Sequence, residues 1–278
     1  MATVAALQLC AEGDVEHNLQ RAGILIQQAA EAGAELLVLP ENFAYYNTRD
    51  LQAAAQSESG VQAEQQGPVR HFLAEQAKQY RVWILAGTLP LFLSQPNNSP
   101  STRPYAASLL FNAEGDEVAR YHKMHLFDVT VAATGKSYKE SDSYCHGDTP
   151  VTVNTPLGKL GLSVCYDLRF PELYRAYAEI GVDVVAVPSA FTSATGEVHW
   201  RLLLQARAVE NQCYVIGANL GHRDHPKKPT WGGSAIIDPW GKVLAELEAG
   251  EGFISAEIDA VRLAEIRANM PVLKHRQM

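Results

Sequence analysis

The sequence predicts an α/β protein, because short apolar runs typical of buried strands alternate with longer segments of helical periodicity. Residues 36–39 and 82–87 are apolar runs of strand length, and Pro68 suits the first turn of a helix that reaches residue 80. No internal repeat of fixed period is evident. The order of elements fits a two-sheet, four-layer αββα sandwich, which we expect to form one domain over residues 1–278.

Capping and turn residues mark the ends of the predicted elements. Residues 3–9 are predicted as a strand, and Asp14 is predicted to cap a helix that reaches residue 32 and ends at Gly33. The other predicted elements are strands at 105–111, 118–122, 183–188, 214–218, 233–238, 243–247 and 253–258, helices at 171–180, 198–211 and from 260, and a surface loop at 95–104.

Composition excludes several classes of function. The 278-residue chain carries a formal net charge of −8, which argues against a nucleic-acid partner, because such partners are bound through clustered cations. No segment approaches the roughly 18 continuous apolar residues of a membrane span, and the N-terminus lacks the basic region of a secretory signal. The four cysteines show no metal-type or disulfide-type spacing. We therefore expect a cytoplasmic protein without a membrane partner.

Three polar side chains follow predicted strands at the point where each strand ends. Glu41 comes directly after residues 36–40, Lys123 follows the strand 118–122, and Cys165 lies where the apolar run 159–164 gives way to a helix. In open α/β layers ligands bind outside the carboxyl ends of strands, so these groups are expected to converge. A thiol at the start of a helix is also expected to have a lowered pKa.

A thiol, a carboxylate and an ammonium ion together meet the needs of amide hydrolysis. The thiol must lose its proton to attack the carbonyl carbon, the oxyanion needs a positive donor, and the departing amine must be protonated. The sequence thus predicts Cys165 as nucleophile, Glu41 as base and then acid, and Lys123 as oxyanion donor. A buried structural cysteine and solvated surface charges are the alternatives for each residue taken singly.

Three segments resemble the signature segments of the nitrilase superfamily of carbon–nitrogen hydrolases: Pro40-Glu41, YHKMHLFD at 121–128 and VCYDLRFPE at 164–172. The resemblance extends from residue 5 to residue 271 and is strongest to the deaminated glutathione amidases, with the ω-amidases next. It implies the αββα fold and a Glu-Lys-Cys triad, matched here by Glu41, Lys123 and Cys165. It also nominates Glu140 as a second glutamate.

Eight further residues are predicted to bind substrate. The aromatic residues among them are as well explained by core packing, and the arginines by structural ion pairs. In an acidic protein, the basic loop 221–229 is either a solvated surface or a site that receives substrate carboxylates. The predicted substrate-binding residues are Tyr166, Arg169, Phe191, Thr192, His199, Trp200, Arg207 and Arg223.

We expect a thiol amidohydrolase that releases ammonia from a small anionic amide, with deaminated glutathione as substrate, and that needs no cofactor. The alternatives are an ω-amidase for 2-oxoglutaramate, an N-carbamoyl hydrolase, a metabolite-binding or partner-binding scaffold, and a peroxide-sensing thiol. No metal is expected, because Lys123 separates His122 from His125 with a repulsive cation. A symmetric homodimer is expected through apolar positions of the helix 171–180, namely Leu173, Tyr174, Tyr177 and Ile180.

Overall fold

The computed structural model describes residues 1–60, 67–93, 102–132 and 135–277. Most of the loop predicted at 95–104 lies outside these ranges. The helices are α1 (Val15–Glu31), α2 (Leu51–Glu58), α3 (Pro68–Tyr80), α4 (Pro171–Glu179), α5 (Ser193–Asn211) and α6 (Ala260–Asn269). The strands are β1 (Ala2–Gln8), β2 (Leu36–Val38), β3 (Trp83–Leu85), β4 (Leu89–Leu91), β5 (Tyr105–Phe111), β6 (Glu117–His122), β7 (Asp128–Val131), β8 (Lys136–Lys139), β9 (Thr152–Thr155), β10 (Gly158–Leu162), β11 (Val184–Ser189), β12 (Tyr214–Asn219), β13 (Ser234–Ile237), β14 (Val243–Leu247) and β15 (Gly252–Ile258).

Two large sheets have the same strand arrangement, with three parallel strands flanked by antiparallel strands. The first sheet has the order β15-β1-β2-β3-β5-β4, with β6 paired to β5, and its parallel strands are β1, β2 and β3. The second has the order β14-β13-β12-β11-β10-β9, with β10, β11 and β12 parallel. A small third sheet pairs β7 with β8. Parallel strands of this kind are buried on both faces.

Alternation along β1 shows how the layers stack. Val4 and Ala6 belong to a core cluster shared with residues of the second sheet, whereas Ala5 and Leu7 belong to a cluster shared with α1 and α3. Successive side chains of a strand point to opposite faces, so one face of the first sheet packs on helices and the other on the second sheet. The helices α4 and α5 pack with the second sheet. The predicted four-layer αββα sandwich is confirmed.

Local signals set most element ends. The side chain of Asp14 caps α1 by accepting a hydrogen bond from the backbone of His17 at 3.1 Å. The helix α3 runs from Pro68 to Tyr80 as predicted, whereas α5 begins at Ser193, five residues before the predicted start. In the part of the chain that the structure describes, no helix is long and apolar enough to cross a membrane.

The helix α4 does not offer the predicted apolar surface. Leu173, Tyr174 and Tyr177 are buried in the core, and only Ile180, just beyond the helix, is half exposed. The stripe at these positions therefore faces inward, as the hydrophobic side of an amphipathic helix normally does.

Candidate active site

Cys165 lies on a tight elbow after β10, as the first residue of a short 3₁₀ helix, Cys165–Arg169. Its φ of 47° falls in the left-handed region, which a non-glycine residue occupies only where surrounding contacts hold it. The buried carboxylate of Asp167 supplies one such contact by accepting a hydrogen bond from the backbone of Val164 at 2.8 Å. This contact helps to hold the thiol-bearing residue in its unusual backbone conformation.

Glu41 reaches the same place from the end of β2. The chain turns there against Gly87, where an added Cβ would lie 1.8 Å from the carbonyl oxygen of Pro40, so only glycine allows this approach. The Glu41 side chain is 3% exposed. Its Oε2 accepts a hydrogen bond from the backbone of Ala190 at 2.9 Å, which fixes the carboxylate beside the end of β11.

Lys123 bridges two carboxylates. Its Nζ donates to Oε1 of Glu41 at 2.7 Å and to both carboxylate oxygens of Glu140 at 2.9 Å. Glu140 begins a 3₁₀ helix after β8 and also accepts a hydrogen bond from the backbone of Phe127 at 2.6 Å. Together with the thiol, these side chains form the central cluster, defined as Glu41, Lys123, Glu140 and Cys165.

Asp167 ties the two loops of the central cluster together. Besides the cysteine elbow it binds Tyr121, whose hydroxyl donates to Oδ2 at 2.7 Å, and His125, which approaches Oδ1 through its backbone N at 3.0 Å and Nδ1 at 2.7 Å. Tyr121 and His125 flank Lys123 in sequence. One buried carboxylate therefore sets the position of the lysine loop relative to the thiol.

The cluster's charges shift the pKa values of its members. Burial alone would lower the pKa of Lys123, but the negative charges of Glu140 and then Glu41 raise it well above its usual value. Burial raises the pKa of Glu140, and the charge of Lys123 partly opposes that rise. The lysine therefore remains a cation at neutral pH.

The pKa of the Cys165 thiol differs from the prediction of a lowered value. Burial raises it well above its usual value, the charge of Glu41 raises it further, and Lys123 only partly offsets these effects. The thiol lines the same cavity as Glu41. The prediction was wrong because it counted the helix terminus and left out desolvation and the neighbouring carboxylate. The resting nucleophile is thus a protonated thiol beside its base.

The central cluster opens into a cavity of about 290 Å³, near the lower end of the usual range for small-molecule sites. Four predicted binding residues line it: Tyr166, Arg169, Phe191 and Thr192. The guanidinium of Arg169 lies 5.2 Å from the ring centre of Phe191 and 5.9 Å from that of Tyr166. This arrangement holds a cation at the wall of the cavity.

His199 and Trp200 do not line the cavity. The indole of Trp200 is fully buried in the core and donates to the carbonyl oxygen of Gly233 at 2.7 Å. Nδ1 of His199 lies 3.3 Å from the guanidinium of Arg169, so the histidine touches a lining residue from behind. For Trp200 the alternative of core packing is correct.

Arg207 and Arg223 also lie away from the cavity. Arg207 is buried, donates twice to the carbonyl oxygen of Leu168, and pairs with Glu210 at 2.9 Å. Arg223 stacks 3.9 Å from the ring centre of Trp231 and donates to that residue's carbonyl oxygen. Both arginines satisfy main-chain acceptors, which is a structural role.

Several lining residues were not predicted. Asn42 and Tyr46 follow Glu41 directly, so the rule that ligands bind beyond strand ends would have indicated them. Tyr144 follows Glu140 closely in the same way. The basic loop 221–229, for which the sequence leaves open a site for substrate carboxylates, contributes Lys228 and Pro229. The other unpredicted residues lie on β8, in the first turn of α5 or on loops, and they are Phe127, Tyr138, Lys139, Ser143, Ala190, Thr195 and Thr230.

His122 and His125, from which no metal site is expected, have separate partners. Nδ1 of His125 is engaged by Asp167, and its ring stacks on Phe170 with centres 3.7 Å apart, whereas the His122 ring lies 4.9 Å from that of Tyr105. Across residues 1–60, 67–93, 102–132 and 135–277, no group of three or more potential ligands is placed to hold a metal ion.

Several known proteins are similar to this chain over nearly its whole length. A deaminated glutathione amidase of Synechocystis is 42% identical over 276 residues, 98% of this chain and 97% of that protein. An omega-amidase of Mus musculus is 35% identical over 276 residues, 99% of this chain and 94% of that protein. The crystal structure of Saccharomyces cerevisiae Nit3, a member of branch 10 of the nitrilase superfamily, matches with a TM-score of 0.85 and 31% identity, covering 100% of this chain and 97% of that one.

The family pattern described as carbon-nitrogen hydrolase matches residues 3–268, which is nearly the whole sequence. That range contains every member of the central cluster. The chain belongs to the carbon–nitrogen hydrolase family.

Proposed function

We propose that this protein is a thiol amidohydrolase that cleaves the amide of a small anionic substrate. The single observation that supports this most directly is that Cys165 lines one cavity together with Glu41 and Lys123, whose side chains are joined at 2.7 Å. A nucleophile, its base and a fixed cation therefore meet at one cavity, which is the arrangement that covalent amide hydrolysis needs.

The first half-reaction forms a thioester. Glu41 takes the thiol proton while Sγ of Cys165 attacks the carbonyl carbon, and the ammonium of Lys123 stabilises the oxyanion that develops. Glu41 then gives the proton to the amide nitrogen, the C–N bond breaks, and the amine leaves. In the second half-reaction Glu41 removes a proton from water, the hydroxide attacks the thioester, and the proton returns to the sulfur as the acid leaves.

Glu140 acts by holding Lys123. It contacts the ammonium with both oxygens and is itself fixed by the backbone of Phe127. The lysine therefore keeps its charge and its direction during the reaction. This positioning role leaves proton transfer to Glu41.

Deaminated glutathione is the substrate we propose. It carries a 2-oxo acid at one end and a Cys-Gly carboxylate at the other, and the relatives named for its hydrolysis cover nearly the whole chain. The bond cut joins the 2-oxo acid to Cys-Gly, so the amine that leaves is that dipeptide. The expected release of ammonia therefore does not hold for deaminated glutathione; it holds for the alternative substrates, 2-oxoglutaramate and N-carbamoyl compounds.

The other candidates have less support. A scaffold without activity would not need a buried lysine held between two carboxylates beside a strained cysteine. A peroxide sensor needs a thiolate, and burial raises the pKa of this thiol. An N-carbamoyl compound would use the same chemistry and enters the test below as a third substrate.

The test is a comparison of substrates. Purified protein is given deaminated glutathione, 2-oxoglutaramate or an N-carbamoyl amino acid; release of 2-oxoglutarate is measured for the first two and of ammonia for the third. We expect the highest kcat/KM for deaminated glutathione. A higher value for 2-oxoglutaramate would make the ω-amidase assignment correct, and no turnover of any amide would reject hydrolysis.

We also propose a cytoplasmic, single-domain protein that forms a homodimer. Cys10, Cys165 and Cys213 carry free thiols, as suits a reducing compartment.

Three apolar residues lie on one exposed face of α5. Val198, Leu202 and Val209 are 59%, 64% and 50% exposed, so this helix replaces α4 as the surface on which a second copy packs. Light scattering of the protein and of Leu202→Glu should show a dimer and a monomer; a monomeric parent protein would contradict the proposal.

A further inference from the structure

Lys228 is a cation of the cavity wall that takes no part in the mechanism described above, and unlike Lys139 it has no ion pair with a carboxylate of the described residues. It lies in the loop between β12 and β13, the basic loop of the sequence, and its side chain faces the cavity together with Pro229 and Thr230. Its neighbour Lys227 carries the same charge but does not line the cavity. The two lysines thus form a matched pair, one at the site and one outside it.

The main chain around Lys228 is held from both sides. Nδ1 of His225 accepts hydrogen bonds from the backbone N of Lys228 at 2.9 Å and of Lys227 at 3.2 Å. The hydroxyl of Tyr46 donates to the carbonyl oxygen of Lys228, which connects this loop to the segment after Glu41. A binding group on a loop is precise only when its backbone is fixed in this way.

The charge of Lys228 is not matched by the protein. Among the residues that the structure describes, no carboxylate oxygen lies within 4 Å of its Nζ, and the ammonium lies 5.9 Å from the ring centre of Tyr46. The side chain is exposed to solvent through the cavity, yet surrounding atoms lower its pKa by desolvation, and the charge of Lys136 lowers it further. An anion bound there would stabilise the charged form of Lys228 and so oppose both the desolvation and the repulsion by Lys136.

We propose that Lys228 binds the carboxylate at the far end of the leaving amine, which for deaminated glutathione is the carboxylate of its C-terminal glycine. Arg169, four residues after Cys165, is the cation nearest in sequence to the nucleophile, and we assign it to the 2-oxo acid half of the substrate. Lys228 comes from a separate loop, and we assign it to the dipeptide that departs. The inference rests on the proposed function and adds the residue that distinguishes a long substrate from a short one.

The chemistry gives an internal control. Attack by Cys165 on deaminated glutathione or on 2-oxoglutaramate yields the same 2-oxoglutaryl thioester, and only the amine that leaves differs, Cys-Gly in one case and ammonia in the other. A residue that binds the leaving dipeptide affects formation of the thioester from deaminated glutathione alone. Hydrolysis of the thioester, and every step with 2-oxoglutaramate, is independent of it.

The experiment compares Lys228→Ala, Lys228→Arg and Lys227→Ala with the parent enzyme on three substrates: deaminated glutathione, its glycine methyl ester and 2-oxoglutaramate. Release of 2-oxoglutarate is measured in all cases. We expect Lys228→Ala to lower kcat/KM for deaminated glutathione by about tenfold to a hundredfold, the range for a lost charge-assisted hydrogen bond. It should leave the methyl ester and 2-oxoglutaramate unchanged, Lys228→Arg should restore most of the loss, and Lys227→Ala should match the parent.

The results separate this inference from the proposed function. If the parent enzyme hydrolyses deaminated glutathione and Lys228→Ala loses activity equally on all three substrates, or on none, Lys228 does not read the distal carboxylate and the inference is wrong. If the parent enzyme prefers 2-oxoglutaramate over deaminated glutathione, the proposed substrate fails first. Turnover of 2-oxoglutaramate by each variant also shows that the variant is folded.

Discussion

The central cluster and the cavity cations, defined here as Arg169 and Lys228, are both sets of charged groups, but the protein holds them in opposite ways. Lys139 also lines the cavity but is paired with Asp142 at 3.1 Å. In the cluster, Lys123 is 2% exposed and bound by two carboxylates. Within the described parts of the chain, neither Arg169 nor Lys228 is paired with a carboxylate, and both remain accessible from the cavity. The charged groups that are paired within the protein are those of the catalytic cluster, and the cations without a carboxylate partner are those that the substrate can reach.

This difference follows from what each set must do. Groups that take part in every turnover gain from being fixed before substrate arrives, because no reorganisation is then needed at the transition state. A cation that binds a substrate carboxylate should exchange only bound water for it. A carboxylate of the protein paired with that cation would compete with the substrate. Variants in the two regions should therefore differ in kind, with loss of rate and stability in the first and change of substrate preference in the second.

The largest effect is expected from Cys165→Ala in the central cluster. The variant removes the nucleophile and little volume, so turnover of every amide should be abolished while the fold remains. Release of 2-oxoglutarate and circular dichroism measure the two properties. Cys10→Ala is the control and should keep full activity, and measurable turnover by Cys165→Ala would exclude covalent catalysis.

Lys123→Ala should affect both rate and stability. It leaves the carboxylates of Glu41 and Glu140 buried without their shared cation, which typically costs about 3–5 kcal/mol of unfolding free energy. The rate should fall by about a hundredfold or more, because the oxyanion donor is lost. The sequence alone predicts a preserved fold, since it does not show that this lysine is buried.

Urea unfolding of Lys123→Ala and of the double variant Lys123→Ala with Glu140→Gln tests this prediction. Removing one carboxylate charge should restore part of the lost stability without restoring activity. If Lys123→Ala unfolds at the same urea concentration as the parent protein, the cluster is not held together by its charges and the contrast with the cavity cations disappears.

Asp167→Asn should give an intermediate effect. The amide keeps the size of the carboxylate but cannot accept all of the hydrogen bonds from Val164, Tyr121 and His125, so the Cys165 elbow and the Lys123 loop lose their common anchor. We expect kcat to fall by about tenfold, with little change in KM. Asp183→Asn breaks an ion pair with Arg267 elsewhere and should lower stability alone. Equal kcat in both variants would assign Asp167 a purely structural role.

The smallest effect concerns pH. The pKa of Cys165 is raised in the folded protein by burial and then by Glu41, so the thiol stays protonated in the fold at a pH where the unfolded chain ionises it. Its contribution to stability is therefore complete below pH 9 and is lost as the pH rises above it. Between pH 8 and pH 10 the parent protein should lose about 1 kcal/mol more unfolding free energy than Cys165→Ala. Parallel pH profiles would contradict a raised pKa.

The two regions also differ in how far the sequence reveals them. Glu41, Lys123 and Cys165 end strands whose apolar pattern is plain, so their convergence could be predicted from the rule for α/β sheets, and the resemblance to the nitrilase superfamily indicated Glu140. Lys228 lies in a loop, and nothing in the sequence separates it from Lys227. Trp200 was misplaced because an apolar residue on a helix has the same pattern whether it faces a cavity or the core.

If Cys165 forms the same thioester from either substrate, that intermediate must divide between two competing nucleophiles in the same proportion whichever amide produced it. Hydroxylamine added at a fixed concentration competes with water, so the ratio of 2-oxoglutaryl hydroxamate to 2-oxoglutarate depends only on the intermediate that both nucleophiles attack. We predict the same ratio from deaminated glutathione and from 2-oxoglutaramate, although their rates differ. Ratios that depend on the leaving amine would contradict a common thioester on Cys165.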